Sequence, residues 1–327
     1  MAHAHEHGDS HEGHAHAHDA APHAWHKHEH HAHGHVDAAG RAFFAGVVLN
    51  SLIVIVEAVY GVIGHSMALL ADAGHNLGDV LGLVLAGGAT FLAQLRPTKR
   101  RTYGYRRLTL FSALANGIFL LVATGAIAWE SIRRLSAPEP IATVPVIVVA
   151  AIAMVINAAS ALLFAGRGHH DLNVRAAFLH LVGDAGISAA VIVGTVVMAK
   201  TGWLFMDPVL SITVAGLILV STWSLLQRSA NLVIDAVPDG IDIDEVRGYL
   251  TSLPRVREVH DLHVWAMSTT ETALTAHLVM PGQGCEPTFL SGVCSQLQHR
   301  FGIAHSTLQV DPEEAPEPCR LAPEETV

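Results

Sequence analysis

The chain has 327 residues, of which 51% are hydrophobic and only 15% charged, with a formal net charge of −10. Soluble domains carry about 25% charged residues, so this composition excludes an ordinary soluble protein and points to a membrane. Three cysteines, Cys285, Cys294 and Cys319, form no C-x-x-C pair, which argues against a disulfide framework and against a thiolate zinc site.

In chain order, residues 1–35 come first, and they hold 14 of the 24 histidines, mixed with Glu and Asp. Such a segment cannot bury a core, and residues 1–41 are predicted to be a disordered tail. They contain no apolar run and are not a signal peptide. The bland reading is a solvated tail or an expression tag. Irregular spacing and interspersed acids favour a loose, multi-site metal collector.

Six apolar stretches follow, at 42–64, 70–95, 108–132, 142–166, 176–199 and 208–228. Each is about 20–26 residues long, enough at about 1.5 Å per residue to cross a hydrocarbon core of about 30 Å. The expected fold is therefore an all-α bundle of six transmembrane helices over 42–228. Asp207-Pro208 reads as the cap and first residue of the sixth helix. The loop after the second span carries six basic residues, Arg96, Lys99, Arg100, Arg101, Arg106 and Arg107. By the positive-inside rule it lies in the cytoplasm, with both termini. Arg167 and Arg175 after the fourth span agree, while Arg133 and Arg134 after the third go against the rule.

After residue 228 the pattern becomes that of a small cytoplasmic α+β domain over 229–312. A helix is predicted at 242–252, strands at 256–267 and 271–280, a helix at 286–300 and a last strand at 306–311. The Pro- and Glu-rich tail at 313–327 is expected to be disordered.

A pentapeptide pattern occurs twice inside apolar stretches: His75-Asn-Leu-Gly-Asp79 and His180-Leu-Val-Gly-Asp184. A His and an Asp four apart share one helix face. Ionisable groups in a membrane span are costly and usually functional. With spans of opposite sense, Asp79 and Asp184 lie about 12–13 Å deep from opposite surfaces, near the midplane where transporters hold substrate. Together the pairs supply four ligands, the number tetrahedral zinc takes. All four also take protons, which metal must displace, so arriving protons can eject the metal. Gly74, Gly78 and Gly82 on the second span, and Gly183 and Gly186 on the fifth, suit close helix packing.

These motifs, with SMALLADAGHNLGD, YGYRR, LNVRAAFLHLVGD and HDLHVW, resemble segments of the cation diffusion facilitator family of metal exporters, over roughly 42–312. The nearest likeness is to its bacterial zinc, cobalt and cadmium resistance group. The resemblance implies a homodimer in the inner (plasma) membrane that exports Zn²⁺, with Cd²⁺ and Co²⁺ as further substrates, in exchange for protons. His75, Asp79, His180 and Asp184 fall on the family's transport site. The C-terminal domain is implied to be ferredoxin-like, resembling metallochaperones, and to dimerise and bind Zn²⁺ as a regulatory ligand. His260, His277, His305 and Asp311 fall on its ligand segments. Read without the family, these four could equally be surface polar groups. His263 is expected on the opposite face of its strand from His260. Gln309 stands where some relatives place a further His.

Other polar groups admit two readings. Glu57 is a proton-path residue or the partner of a polar neighbour. Asp72 caps its helix or guides released metal outward. Asn50, Asn116 and Asn157 read as interhelical hydrogen-bonders. His169 and His170 hand metal inward or belong to a solvated loop. Asp235 pairs with the arginines of the 96–107 loop or with other surface groups. The expected partners are divalent metals, protons and the bilayer, with no nucleic acid. No enzymatic activity is expected: the chain lacks H-E-x-x-H, and four protein ligands leave no position for a catalytic water, which weighs against an intramembrane metallohydrolase. A membrane-anchored metal sensor or buffer would not require paired ligands in two spans.

Overall fold

The computed structural model describes residues 33–165, 172–282 and 286–313. The expectations for residues 1–32, for His169 and His170, and for the tail beyond 313 fall outside these described residues. The chain divides into two units, Met1–Phe44 and Ala45–Val327. Everything described below concerns the second, apart from the opening of the first helix.

That helix, α1 (His33–Ile63), starts inside the segment expected to be disordered. Ala38, Ala39, Arg41 and Ala42 are good helix formers. An established helix extends backward through such residues at little cost, because propagation is far easier than nucleation. Five more long helices follow: α2 (Met67–Ala93), α3 (Leu108–Ser136), α4 (Thr143–Ala165), α5 (Leu172–Thr201) and α6 (Met206–Val233). Each of these five contains a segment long and apolar enough to cross a membrane, whereas α1 contributes the shorter apolar segment Val47–Ile63. Large apolar side chains such as Val62, Phe91, Trp129, Leu162 and Val220 stand exposed on the outer surface. So much bare apolar surface suits lipid, not water.

In the bundle, α2 packs on α3, α3 runs along α6, and α4 along α5. The α2–α3 contact depends on glycine. A Cβ at Gly78 would sit 2.0 Å from Leu120, one at Gly74 2.9 Å from Ile127 and one at Gly82 2.9 Å from Asn116. Gly183 and Gly186 do not play the expected part, since a Cβ at either would meet nothing within 4 Å among the described residues. On α5 the close approach is at Gly194, where a Cβ would lie 2.0 Å from Leu210 of α6.

Asp207 also departs from expectation. Helix α6 begins two residues earlier than expected, at Met206, without a side-chain cap. The Asp207 carboxylate instead crosses to the start of α2. It accepts hydrogen bonds from Met67 N (2.7 Å), Ala68 N (3.3 Å) and Ser66 Oγ (2.6 Å). A carboxylate at a helix N-terminus satisfies orphan N–H groups and faces the positive end of the helix dipole. Asp207 therefore fastens α6 to α2 rather than capping its own helix.

The C-terminal region comprises α7 (Ile243–Thr251), β1 (Glu258–Ala266), β2 (Thr272–Met280), α8 (Pro287–Phe301) and β3 (Ile303–Pro312). Asp242 caps α7 through Asp244 N and Glu245 N. Gly302, at φ +70°, ends α8 in the left-handed conformation that glycine adopts freely. The sheet order is β1-β2-β3, with β1 and β2 antiparallel and β2 and β3 parallel. Leu274, Ala276, Leu278 and Met280 alternate onto one sheet face and pack with Val246 and Leu250 of α7 and with Val293 and Leu297 of α8. The other face of β2 carries His277.

Candidate metal centres

The two His-Asp pairs meet inside the bundle. His75 Nε2 lies 3.7 Å from its own partner Asp79 and 3.3 Å from Asp184 on α5. His180 Nε2 lies 3.6 Å from its own partner Asp184 and 3.2 Å from Asp79 on α2. Each histidine is thus nearer the other helix's carboxylate than its own. The pairings also run in opposite senses along the two helices, Asp79 with His180 and His75 with Asp184, so α2 and α5 are antiparallel here. The imidazole rings are edge to face, with centroids 5.7 Å apart.

A tetrahedral zinc with bonds of about 2.0–2.1 Å needs donor separations of about 3.3–3.4 Å. The four nitrogen–oxygen distances above straddle that value. Donor atoms of His75, His180 and Asp184 all lie within 4.8 Å of one another, and Asp79 stands outside that three-residue set while reaching both imidazoles. Burial is uneven: the Asp184 side chain is 7% exposed and that of His180 47%. The carboxylates and imidazoles suit a borderline divalent ion better than a hard one.

Next along both helices lies a second polar layer. Ser188, one turn beyond Asp184, donates to Asp72 at 3.0 Å. Asn76 donates to Glu57 of α1 at 3.1 Å. Asp72 therefore caps nothing: the first N–H groups of α2 are met by Asp207 and by Ser66, whose Oγ accepts from Leu69 N.

The sheet carries the second cluster. His260 of β1 is paired directly with His277 of β2, with ring centroids 5.1 Å apart. Asp311 of β3 reaches His277 Nδ1 at 3.0 Å and His260 Nε2 at 3.5 Å. Donor atoms of these three residues lie within 4.8 Å of one another. The His260 side chain is 4% exposed, and among the described residues neither ring nitrogen has a hydrogen-bond partner. A bound metal would remove the cost of burying an imidazole with no hydrogen bond.

His305 does not join this cluster. It sits at the other end of β3, opposite Ala273, and its ring packs edge-on against Tyr103 at 5.7 Å. His305 and Asp311 share a strand but are six residues apart, about 20 Å at strand rise, too far to share one ion. Asp261, which the sequence did not single out, lies 3.5 Å from His277 and 2.9 Å from His263. A bulge between His260 and His263 brings it there, with Asp261 at φ +51°. The same bulge corrects the expectation for His263. One extra residue shifts the alternation, so His263 pairs with Thr275 and shares a sheet face with His260. Its signal in the sequence is weak, because strand periodicity alone assumes an unbroken ladder.

Contacts join the bundle to the C-terminal region through the basic loop. Arg106 pairs with Glu271 at 2.6 Å, Thr269 N donates to Thr109 Oγ1 at 3.1 Å, and Arg107 pairs with Asp235. Arg133 and Arg134, which oppose the charge rule, are paired with Glu130 and Glu139.

Known proteins match along most of this framework. The cation efflux transmembrane domain matches residues 43–232, and the cytoplasmic domain of cation efflux proteins matches 238–313. The zinc transporter ZitB of Escherichia coli (strain K12) is 37% identical over 79% of this chain and 82% of its own. The metal cation efflux system protein CzcD of Cupriavidus metallidurans is 32% identical over 85% of this chain and 88% of its own. The cadmium, cobalt and zinc/H(+)-K(+) antiporter of Bacillus subtilis (strain 168) is 31% identical over 79% and 85%. These matches, with five helices suited to span a bilayer, identify a multi-pass membrane protein, and the chain belongs to the cation efflux, or cation diffusion facilitator, family of transporters.

Proposed function

We propose that the chain exports Zn²⁺ from the cytoplasm in exchange for protons, with Cd²⁺ and Co²⁺ as further substrates. His75, Asp79, His180 and Asp184 hold the travelling ion. The observation that carries this reading is the cross-pairing of the two histidines with the other helix's aspartates at 3.2 and 3.3 Å. Four donors at zinc-like separation make one site from two helices, and all four bind either metal or protons. Relative motion of α2 against α5 would then both break the donor set and change the side to which it opens.

In this reading α1 is the sixth span and both termini are cytoplasmic. The basic loop supplies the charge bias, and the two exceptional arginines are offset by Glu130 and Glu139. The protein works as a homodimer in the inner membrane. Its C-terminal domain, metallochaperone-like in its α-β-β-α-β order, holds regulatory zinc on His260, His277 and Asp311, with Asp261 beside them. The sensor or buffer reading has less support, since it leaves the intramembrane donors without a task.

The test is reconstitution in liposomes under an imposed pH gradient, following zinc and pH dyes together. Zinc flux with opposing proton flux is expected, and Asp79→Ala or Asp184→Ala should abolish both. Flux that survives both substitutions would sink the site assignment.

A further inference from the structure

Two carboxylates in the bundle are left over by that site. Glu57 of α1 and Asp72 of α2 are both 0% exposed. Each uses one oxygen, Glu57 toward Asn76 and Asp72 toward Ser188. The other oxygen of each, Glu57 Oε1 and Asp72 Oδ1, is buried with no hydrogen-bond partner among the described residues. Asp72 and Asp184 are the charged groups acting on Glu57. Asp184 and the His75 imidazole act on Asp72. Ionised carboxylates so placed cost several kcal/mol each unless something positive joins them.

The placement is as telling as the burial. Asp72 and Asn76 are four apart on α2, as are Asp184 and Ser188 on α5, so each pair shares a helix face. Asp72 lies one turn before His75, and Ser188 one turn after Asp184. The layer thus adjoins the His-Asp cluster on the side of the α2 N-terminus. Its two carboxylates are each held by a neighbour, Glu57 by the Asn76 amide N–H and Asp72 by the Ser188 hydroxyl, and all four residues lack an imidazole. Oxygen donors of this sort bind divalent cations through charge and hold zinc less selectively than imidazole does.

We infer that Glu57 and Asp72, with Ser188 and Asn76, form a second cation station that receives the metal as it leaves the His-Asp cluster. This inference rests on the proposed direction of transport, which places the α2 N-terminus outside. The ion passes from a selective mixed site to a weaker all-oxygen site one turn outward, exchanging donors stepwise rather than being released bare into an apolar passage. No covalent or redox step is involved.

Mn²⁺ tests the station, because it favours oxygen donors and its free ion is counted by electron paramagnetic resonance. The parent is the full chain in lipid nanodiscs with His260→Ala, His277→Ala and Asp311→Ala to silence the sheet, and Asp79→Ala with His180→Ala to break the transport site. This parent should still bind Mn²⁺, and adding Glu57→Gln and Asp72→Asn should weaken that binding at least about tenfold. The milder Ser188→Ala keeps both acids and should weaken it less. Equal Mn²⁺ affinity with and without the two acids would overturn the station. In otherwise unaltered protein, Glu57→Gln with Asp72→Asn should leave equilibrium zinc affinity within about twofold but lower zinc flux about tenfold; unchanged flux would also overturn it. Failure of the exporter reading would look different, as no zinc flux in the unaltered protein under a pH gradient with the Mn²⁺ results intact.

Discussion

The two histidine-aspartate clusters are made of the same chemical groups and are built in opposite ways. In the bundle, each half of the cluster is a local unit, a His and an Asp one helical turn apart, and tertiary structure only has to bring two such units together. On the sheet, no two members of the cluster are local. His260, His277 and Asp311 come from three strands and are aligned by ladder register and a bulge. A helical pair can separate from its partner intact, which suits a site that must open and close. A site distributed over a hydrogen-bonded sheet can change only if the sheet does, which suits a held ion.

Breaking one donor should therefore affect the clusters unequally. The largest effect is expected for Asp184→Ala, whose carboxylate lies beside both imidazoles and is nearly buried. Zinc affinity of the bundle should fall about 100-fold, measured by competition with a chelating dye in protein lacking the sheet cluster. Next comes Asp207→Ala, which removes three hydrogen bonds to the start of α2 and so loosens the helix that bears one His-Asp pair. It should cost about 2–3 kcal/mol of stability, read from unfolding in nanodiscs, with Asp207→Asn recovering part of the loss.

On the sheet, His277→Ala should weaken zinc binding about tenfold while zinc flux at saturating metal stays within about twofold. Loss of flux equal to that of Asp184→Ala would erase the distinction between a travelling and a held ion. The smallest effect is expected where the two regions touch. Arg106 and Glu271 are both substantially exposed, so a double-mutant cycle between them should give less than about 1 kcal/mol.

The same contrast explains what could be read from the sequence. His75, Asp79, His180 and Asp184 were legible because helical spacing is local and repeats. The apolar stretches were legible by length, though α1 reaches back to His33 because Ala-rich sequence continues a helix once begun. The positions of His305 and His263, and the presence of Asp261 beside His277, are not legible, because strand sites depend on register and on a bulge that no spacing rule reveals. Asp207 looked like an ordinary cap; only the tertiary fold could show that it caps another helix. Glycine spacing was a guide at Gly78 but not at Gly183, since a small residue signals close approach only where a neighbour is present.

In the proposed mechanism the two helical pairs hold one ion between them. Zinc content per chain, counted after equilibrium dialysis in protein lacking the sheet cluster, tests it most directly. His75→Ala and His180→Ala should each lose the same single zinc, and the double substitution should lose no more than either alone. A double variant that loses two would mean separate sites and would contradict the account.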